Sequence, residues 1–87
     1  MNGHFMLSAE MENKIYKEEL IKLGKRIREL RKARNKTQLD LEFDCKINHG
    51  DISRIENGQS NLEFFTIVRL AVALNVKLTE LFKEDLP

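Results

Sequence analysis

Two short helical segments joined by a tight turn occupy the middle of this 87-residue sequence. Thr37 is a favourable N-cap and predicts a first helix over residues 38–45. Asn48 is a second N-cap candidate and predicts a helix over residues 49–56, which the Asn-Gly pair that follows would end. In a pair of this kind the first helix is expected to brace the second.

Helical periodicity continues on the N-terminal side of this pair. Apolar residues recur at steps of three and four along one stripe: Tyr16, Leu20, Leu23, Ile27 and Leu30. The stripe predicts a helix near residues 10–22, with Ser8 as its N-cap, and another near 23–34. The two are either continuous or kinked at Gly24, because a glycine inside a helix costs about 1 kcal/mol.

The C-terminal third predicts two more helices. One spans residues 62–74, and the last is short, near 79–84, with Leu81 and Phe82 as apolar anchors. The residues of the longer helix expected to face inward are Phe64, Ile67, Val68, Leu70, Ala71 and Leu74. No window alternates as a half-buried strand does, so the predicted fold is all-α.

The charge of the chain is informative only by position. Fifteen Lys and Arg against fourteen Asp and Glu leave a net charge of +1. Residues 22–36, however, hold eight basic residues and one acidic residue. Two interpretations fit this segment, namely a solvated helix face and a phosphate-contacting surface.

Several segments together resemble one known family. They are Leu23-Gly24-Lys25-Arg26-Ile27-Arg28-Glu29-Leu30-Arg31, Thr37-Gln38, Leu41, Ile52-Ser53-Arg54-Ile55-Glu56-Asn57-Gly58, Leu70-Ala71-Val72-Ala73-Leu74 and Leu81-Phe82. This pattern resembles the XRE/Cro–cI (lambda-repressor-like) helix-turn-helix DNA-binding family. The resemblance implies a five-helix domain over residues 23–83, preceded by a partly helical tail at 1–22 and followed by a short end at 84–87. It also implies a bacterial or phage transcriptional regulator.

The resemblance assigns DNA-binding roles position by position. The expected base contacts are His49, Gly50, Ser53 and Arg54. The expected backbone contacts are Thr37, Gln38, Asn48, Asn57, Gln59 and Asn61. Arg54 is the strongest candidate reader, because a guanidinium fork matches guanine O6 and N7. The alternative for Arg54 is an exposed salt bridge with Asp51 or Glu56.

The resemblance also implies an internal ion pair between Arg31 and Glu56. Such a pair would hold the recognition helix on the first core helix, so Arg31 is expected to be structural although it lies in the basic segment.

Three positions depart from the family pattern. Glu42 replaces a small alanine, and Lys46 replaces a turn glycine, where a left-handed backbone costs about 1 kcal/mol. Glu42 and Lys46 are four residues apart, so they are expected to pair and offset each other. Gly50 offers no side chain where the family often has a base reader, which leaves more of the recognition to His49, Arg54 and DNA shape.

The sequence gives little support for a metal-binding protein or an enzyme. Cys45 and His49 are four residues apart, but two ligands do not make a zinc site, and Cys45 is expected to be a small core residue. The sequence has no Gly-rich phosphate loop and no nucleophile elbow, so neither an enzyme nor a cofactor is expected. One cysteine and no secretory signal suggest a cytoplasmic protein.

The expected function is therefore sequence-specific regulation of transcription, on double-stranded DNA and as a homodimer on a pseudo-palindromic operator. The dimer interface is expected to use the C-terminal helices, including Leu81 and Phe82. Apolar residues of the tail pack either on the chain's own core or on a second subunit: Met11, Ile15, Tyr16, Leu20 and Leu23. The alternative function is an antitoxin-type or restriction–modification controller protein of the same fold that also binds a protein partner.

Overall fold

The computed structural model describes the backbone of residues 2–83 and the side chains of residues 8–83. Its elements in order are α1 (Asn2–Ala33), α2 (Gln38–Cys45), α3 (His49–Glu56), α4 (Phe64–Ala73) and a C-terminal 3-10 helix (Leu78–Phe82). No strand occurs within residues 2–83, so the all-α prediction is confirmed. The predicted C-terminal end at 84–87 lies outside the described residues.

The first helix is one continuous rod of 32 residues. Ser8 therefore lies inside α1, and its prediction as an N-cap is wrong. The helix also runs through Gly24 without a break, because the apolar stripe keeps its steps of three and four across that residue. The predicted boundary between tail and domain, at residues 22 and 23, falls inside this helix.

The central pair of helices begins and ends at the predicted residues. Thr37 Oγ1 accepts a hydrogen bond from the Asp40 backbone N–H at 3.0 Å, and Asp40 Oδ2 accepts one from the Thr37 N–H at 2.9 Å. This capping box satisfies two backbone donors at the start of α2. Asn48 Oδ1 caps α3 by accepting from the Gly50 N–H at 2.8 Å. Both N-cap predictions are confirmed.

The turn between α2 and α3 depends on a left-handed residue. Lys46 has a φ of 62° and closes α2 by donating its N–H to the Glu42 carbonyl at 2.8 Å. The expected left-handed conformation at this position is confirmed.

The core lies between α1 and the four shorter helices. Its buried residues are Leu23, Ile27, Leu30, Leu41, Cys45, Ile52, Ile55, Leu70, Ala71, Leu74 and Leu81. α1 contacts α3 and the 3-10 helix, whereas α4 contacts α2 and the 3-10 helix. α3 also contacts α2, so its buried face packs against two other helices, α1 and α2.

Two predictions about the C-terminal third are wrong. Phe64 was expected to face inward, but α4 begins at this residue and its side chain is exposed. Leu81 was expected on an exposed interface together with Phe82, but Leu81 is buried and Phe82 is exposed. A 3-10 helix has three residues per turn, so Leu78 and Leu81 point the same way and Phe82 points elsewhere.

Candidate nucleic-acid interface

α3 has a buried face and an accessible face. Ile52 and Ile55 are buried in the core. The four residues predicted to contact bases all lie on this helix: His49, Gly50, Ser53 and Arg54. Three of them are exposed and Ser53 is half-buried, so the structure gathers them on one accessible element.

A buried ion pair fixes the end of α3 to α1. Arg31 Nε donates to Glu56 Oε2 at 2.7 Å, and Arg31 Nη2 donates to Glu56 Oε1 at 3.0 Å. Arg31 is 7% exposed and Glu56 is 6% exposed, and the hydrogen bonding of Arg31 to the Glu56 carboxylate raises the pKa of the guanidinium. Arg31 Nη1 also donates to the Lys36 carbonyl at 2.7 Å, just before α2. The predicted pair is confirmed, and it ties α3 and the start of α2 to α1.

Gln38 also takes part in this network, a role that the sequence did not predict. Its Nε2 donates to Glu56 Oε1 at 3.1 Å, so Glu56 accepts hydrogen bonds from α1 and from α2. A buried carboxylate needs several hydrogen-bond donors. The amide of a glutamine at the start of α2 is a donor of this kind, and that was the available sequence signal. The phosphate contact expected of Gln38 stays a prediction.

Most of the other predicted backbone-contact residues lie at helix ends. Thr37 and Asn48 cap α2 and α3, where free N–H groups and the helix dipole favour an anion. Asn57 Nδ2 donates to the Ser53 carbonyl at 2.9 Å, and the Gln59 N–H donates to the Arg54 carbonyl at 2.9 Å. These contacts order the chain at both ends of α3.

The part of α1 that precedes Leu23 contacts the loop after α3 and leaves the leading end of α3 accessible. A Cβ at Gly58 would lie 2.8 Å from Ile21 Cα, so α1 passes directly against the loop after α3. Further along α1, the Tyr16 hydroxyl donates to Asn61 Oδ1 at 2.6 Å. His49 and Gly50, at the leading end, are exposed.

We expect Tyr16→Phe to lower the free energy of unfolding by about 0.5–1 kcal/mol, because one hydrogen bond to the loop is lost. Urea unfolding of Tyr16→Phe, Asn61→Ala and the double variant measures the coupling. Fully additive losses would show that the two side chains do not interact.

Arg54 pairs with Asp51 in the free protein, as the alternative interpretation expected. Both side chains are about half exposed or more, and exposed ion pairs add little stability. The guanidinium is therefore able to exchange Asp51 for another acceptor.

Part of the basic segment is neutralised inside the protein. Arg31 is bound to Glu56, Arg26 Nη2 lies 3.5 Å from Glu80 Oε2, and Lys36 pairs with Asp44. These three cations are therefore held in ion pairs within the chain.

Glu42 contacts the first residue of α3. Its Oε1 accepts from the His49 N–H at 2.6 Å and lies 2.9 Å from His49 Nδ1. The hydrogen bond from the His49 backbone, and to a smaller extent the one with its ring, hold the pKa of Glu42 below its ordinary value. The expected pairing of Glu42 with Lys46 is wrong, because Lys46 Nζ lies over the Phe43 ring at 4.8 Å.

Cys45 is buried in the core, as predicted, and burial raises the pKa of its thiol. Among the described side chains, no group of three or more His, Cys, Asp and Glu residues is placed to hold a metal ion.

Comparison with known proteins agrees with this geometry. A family model described as a helix-turn-helix domain matches residues 24–85. The crystal structure of the restriction-modification controller protein C.AhdI from Aeromonas hydrophila is similar to this chain, with 38% identity and a TM-score of 0.71. The alignment covers 72% of this chain and 96% of C.AhdI. This chain belongs to the XRE-like helix-turn-helix family.

As a helix-turn-helix protein, it has the fold of a DNA-binding transcriptional regulator, with α2 and α3 as the helix-turn-helix pair. No curated protein matches the chain. Within residues 2–83, no helix combines the length and the apolar character that crossing a membrane requires.

Proposed function

We propose that this protein is a sequence-specific regulator that places α3 in the major groove of a pseudo-palindromic operator, as a homodimer. The observation that carries the proposal is the accessible leading end of α3, on a helix whose opposite end is fixed to α1 by the buried Arg31–Glu56 pair. A helix with one exposed end and one fixed end suits the width of the major groove.

Base reading in this proposal rests on His49, Ser53 and Arg54, with Gly50 allowing a close approach. Backbone contacts come from the helix-capping residues and from the loop after α3: Thr37, Gln38, Asn48, Asn57, Gln59 and Asn61. These groups position the protein on the duplex, and the α3 side chains supply the sequence preference.

Selection of bound sequences from a random oligonucleotide pool tests the proposal. We expect an operator with two related half-sites about one helical turn apart. We also expect the affinity for it to fall steeply between low and physiological salt, because phosphate contacts release counterions. Recovery of no common sequence, or an affinity independent of salt, would contradict the proposal.

Arg54→Ala should weaken operator binding by about 1–3 kcal/mol and relax the preference at one base position, because a bidentate base contact is lost. Gel-shift titrations against operators varied at each position measure both effects. Lys77→Ala is the matched control, since it removes an exposed cation after α4, outside the proposed interface. An equal loss in both variants, spread over all positions, would show that Arg54 contributes only charge.

The dimer is tested separately by sedimentation equilibrium. Exposed apolar side chains on the C-terminal 3-10 helix and on the extension of α1 are available for a second subunit: Phe82, Met11 and Ile15. We expect association at micromolar protein concentration, and a monomer under these conditions would count against the dimer.

The similarity to C.AhdI favours a second, narrower function, that of a restriction–modification controller. In that case the operator is expected to lie upstream of the protein's own gene, beside a gene for a restriction enzyme. An antitoxin-type role would instead show a neighbouring toxin and a complex with it. Footprinting on the DNA upstream of the gene distinguishes these functions from regulation of distant genes.

A further inference from the structure

The first residue of α3 is held by a carboxylate from the helix before it. Glu42 lies in α2, and its Oε1 contacts both the backbone N–H of His49, at 2.6 Å, and the ring Nδ1, at 2.9 Å. A single oxygen atom therefore fixes the position of the residue and the orientation of its ring. The contact crosses the turn, so it couples the bracing helix to the leading end of the recognition helix.

This contact determines which ring nitrogen carries the proton. Glu42 is ionised near neutral pH, because its two hydrogen bonds lower its pKa, and an ionised carboxylate can only accept hydrogen bonds. Nδ1 must therefore be the donor. In a neutral imidazole the other nitrogen, Nε2, then carries a lone pair and accepts. The His49 side chain is 54% exposed, so part of the ring remains accessible from outside.

The major groove offers a partner for such an acceptor. Adenine N6 and cytosine N4 present amino donors there, whereas guanine and thymine present acceptor oxygens. A ring held with its Nε2 lone pair outward favours a base with an amino group and disfavours one that presents an acceptor. Gly50, the next residue, has no side chain to compete for this part of the groove.

We infer that Glu42 is a positioning residue for base recognition, which orients His49 so that Nε2 accepts from an adenine or cytosine amino group in each half-site. This inference rests on the proposed DNA-binding function. Glu42 itself touches no base in this arrangement, and it acts through the His49 ring.

The protonation pattern is measured on the unmodified protein. Long-range ¹H–¹⁵N NMR spectra at about pH 8, where an ordinary imidazole is neutral, distinguish the two tautomers. The His49 signals are assigned by their absence in His49→Ala. We expect the tautomer with the proton on Nδ1, and a dominant Nε2–H tautomer would overturn the inference. In Glu42→Ala the ring is released, and a mixture of both tautomers is expected.

The base preference is measured by binding to operators that carry each base pair in turn. One position in each half-site should show a preference of about 3- to 10-fold, the range expected of one hydrogen bond, for the base pairs that place an adenine or cytosine on the strand that His49 contacts. Glu42→Ala and His49→Ala should each reduce this preference to about 1-fold, and the double variant should reduce it no further. Unfolding midpoints confirm that each variant is folded.

Asp44→Ala serves as the matched control. It removes a carboxylate from the same helix, but Asp44 pairs with Lys36 and not with α3. We expect this variant to change the affinity for all operators by the same factor. The base preference is a ratio of two such affinities, so it should stay the same.

The outcomes separate this inference from the proposed function. If the wild-type protein selects an operator and Glu42→Ala keeps every base preference, Glu42 has no positioning role although the regulator function stands. If the wild-type protein selects no operator at all, the proposed function fails, and the NMR measurement still tests the orientation of His49.

Discussion

Replacing Arg31 by alanine is expected to lower the free energy of unfolding by about 3–5 kcal/mol, because it leaves the carboxylate of Glu56 buried without its charged partner. Both side chains are almost fully buried, and Gln38 alone cannot neutralise the charge that remains. A small domain has a total stability of about 5–15 kcal/mol, so the variant should lose a large part of its stability and unfold at a clearly lower temperature. Thermal unfolding followed by circular dichroism measures the loss.

Arg28→Ala is the control for Arg31→Ala. Arg28 lies on the same helix, carries the same charge and is exposed, so its removal should change stability by no more than about 0.5 kcal/mol. The pair Arg31→Met with Glu56→Leu should regain much of the loss, because no unpaired charge stays buried. Wild-type stability in Arg31→Ala would show that the ion pair does not hold α3.

Replacing Gly24 by alanine is the second change with a large expected effect. A Cβ at this position would lie 2.2 Å from the Ile55 carbonyl oxygen and 2.8 Å from the Glu56 carbonyl oxygen. Both are backbone atoms, so α1 and α3 must separate to admit it. We expect a loss of at least about 1–3 kcal/mol, the usual cost of overpacking, together with weaker DNA binding because α3 is displaced.

The sign of this effect distinguishes packing from helix propensity. Propensity alone favours alanine over glycine inside a helix by about 1 kcal/mol, so it predicts that Gly24→Ala is more stable. Gly50→Ala is the control, since its added methyl would meet only the end of the Asn48 side chain, at 3.0 Å. Urea unfolding should show a much smaller change for Gly50→Ala. A more stable Gly24→Ala variant would contradict the close approach of α1 and α3.

The bounds of α2 and α3 were predictable because their signals are local. Thr37 and Asn48 have side chains short enough to bond a backbone N–H two or three residues ahead. Gly58 has a φ of 69°, a conformation that favours glycine and ends the helix. These groups act over a few residues, so their order in the sequence is enough to place the helix ends.

The errors concern residues whose environment is made by distant parts of the chain. Phe64 has an apolar side chain but faces solvent, because the start of α4 is not covered by another helix. Ser8 is a good capping residue, yet the helix continues through it. The partner of Glu42 was sought four residues along one helix, whereas the actual contact crosses to the next helix.

By itself, the sequence determined the helical class, the bounds of the helix-turn-helix pair and the pairing of Arg31 with Glu56. Capping and helical periodicity act over a few residues, and the ion pair follows from the family pattern. Only the tertiary structure decided that Gly24 admits the backbone of α3, that Gln38 joins the buried pair and that Glu42 orients His49. These contacts depend on distances of a few ångströms between separate helices, and such distances are set by the packing of the whole core.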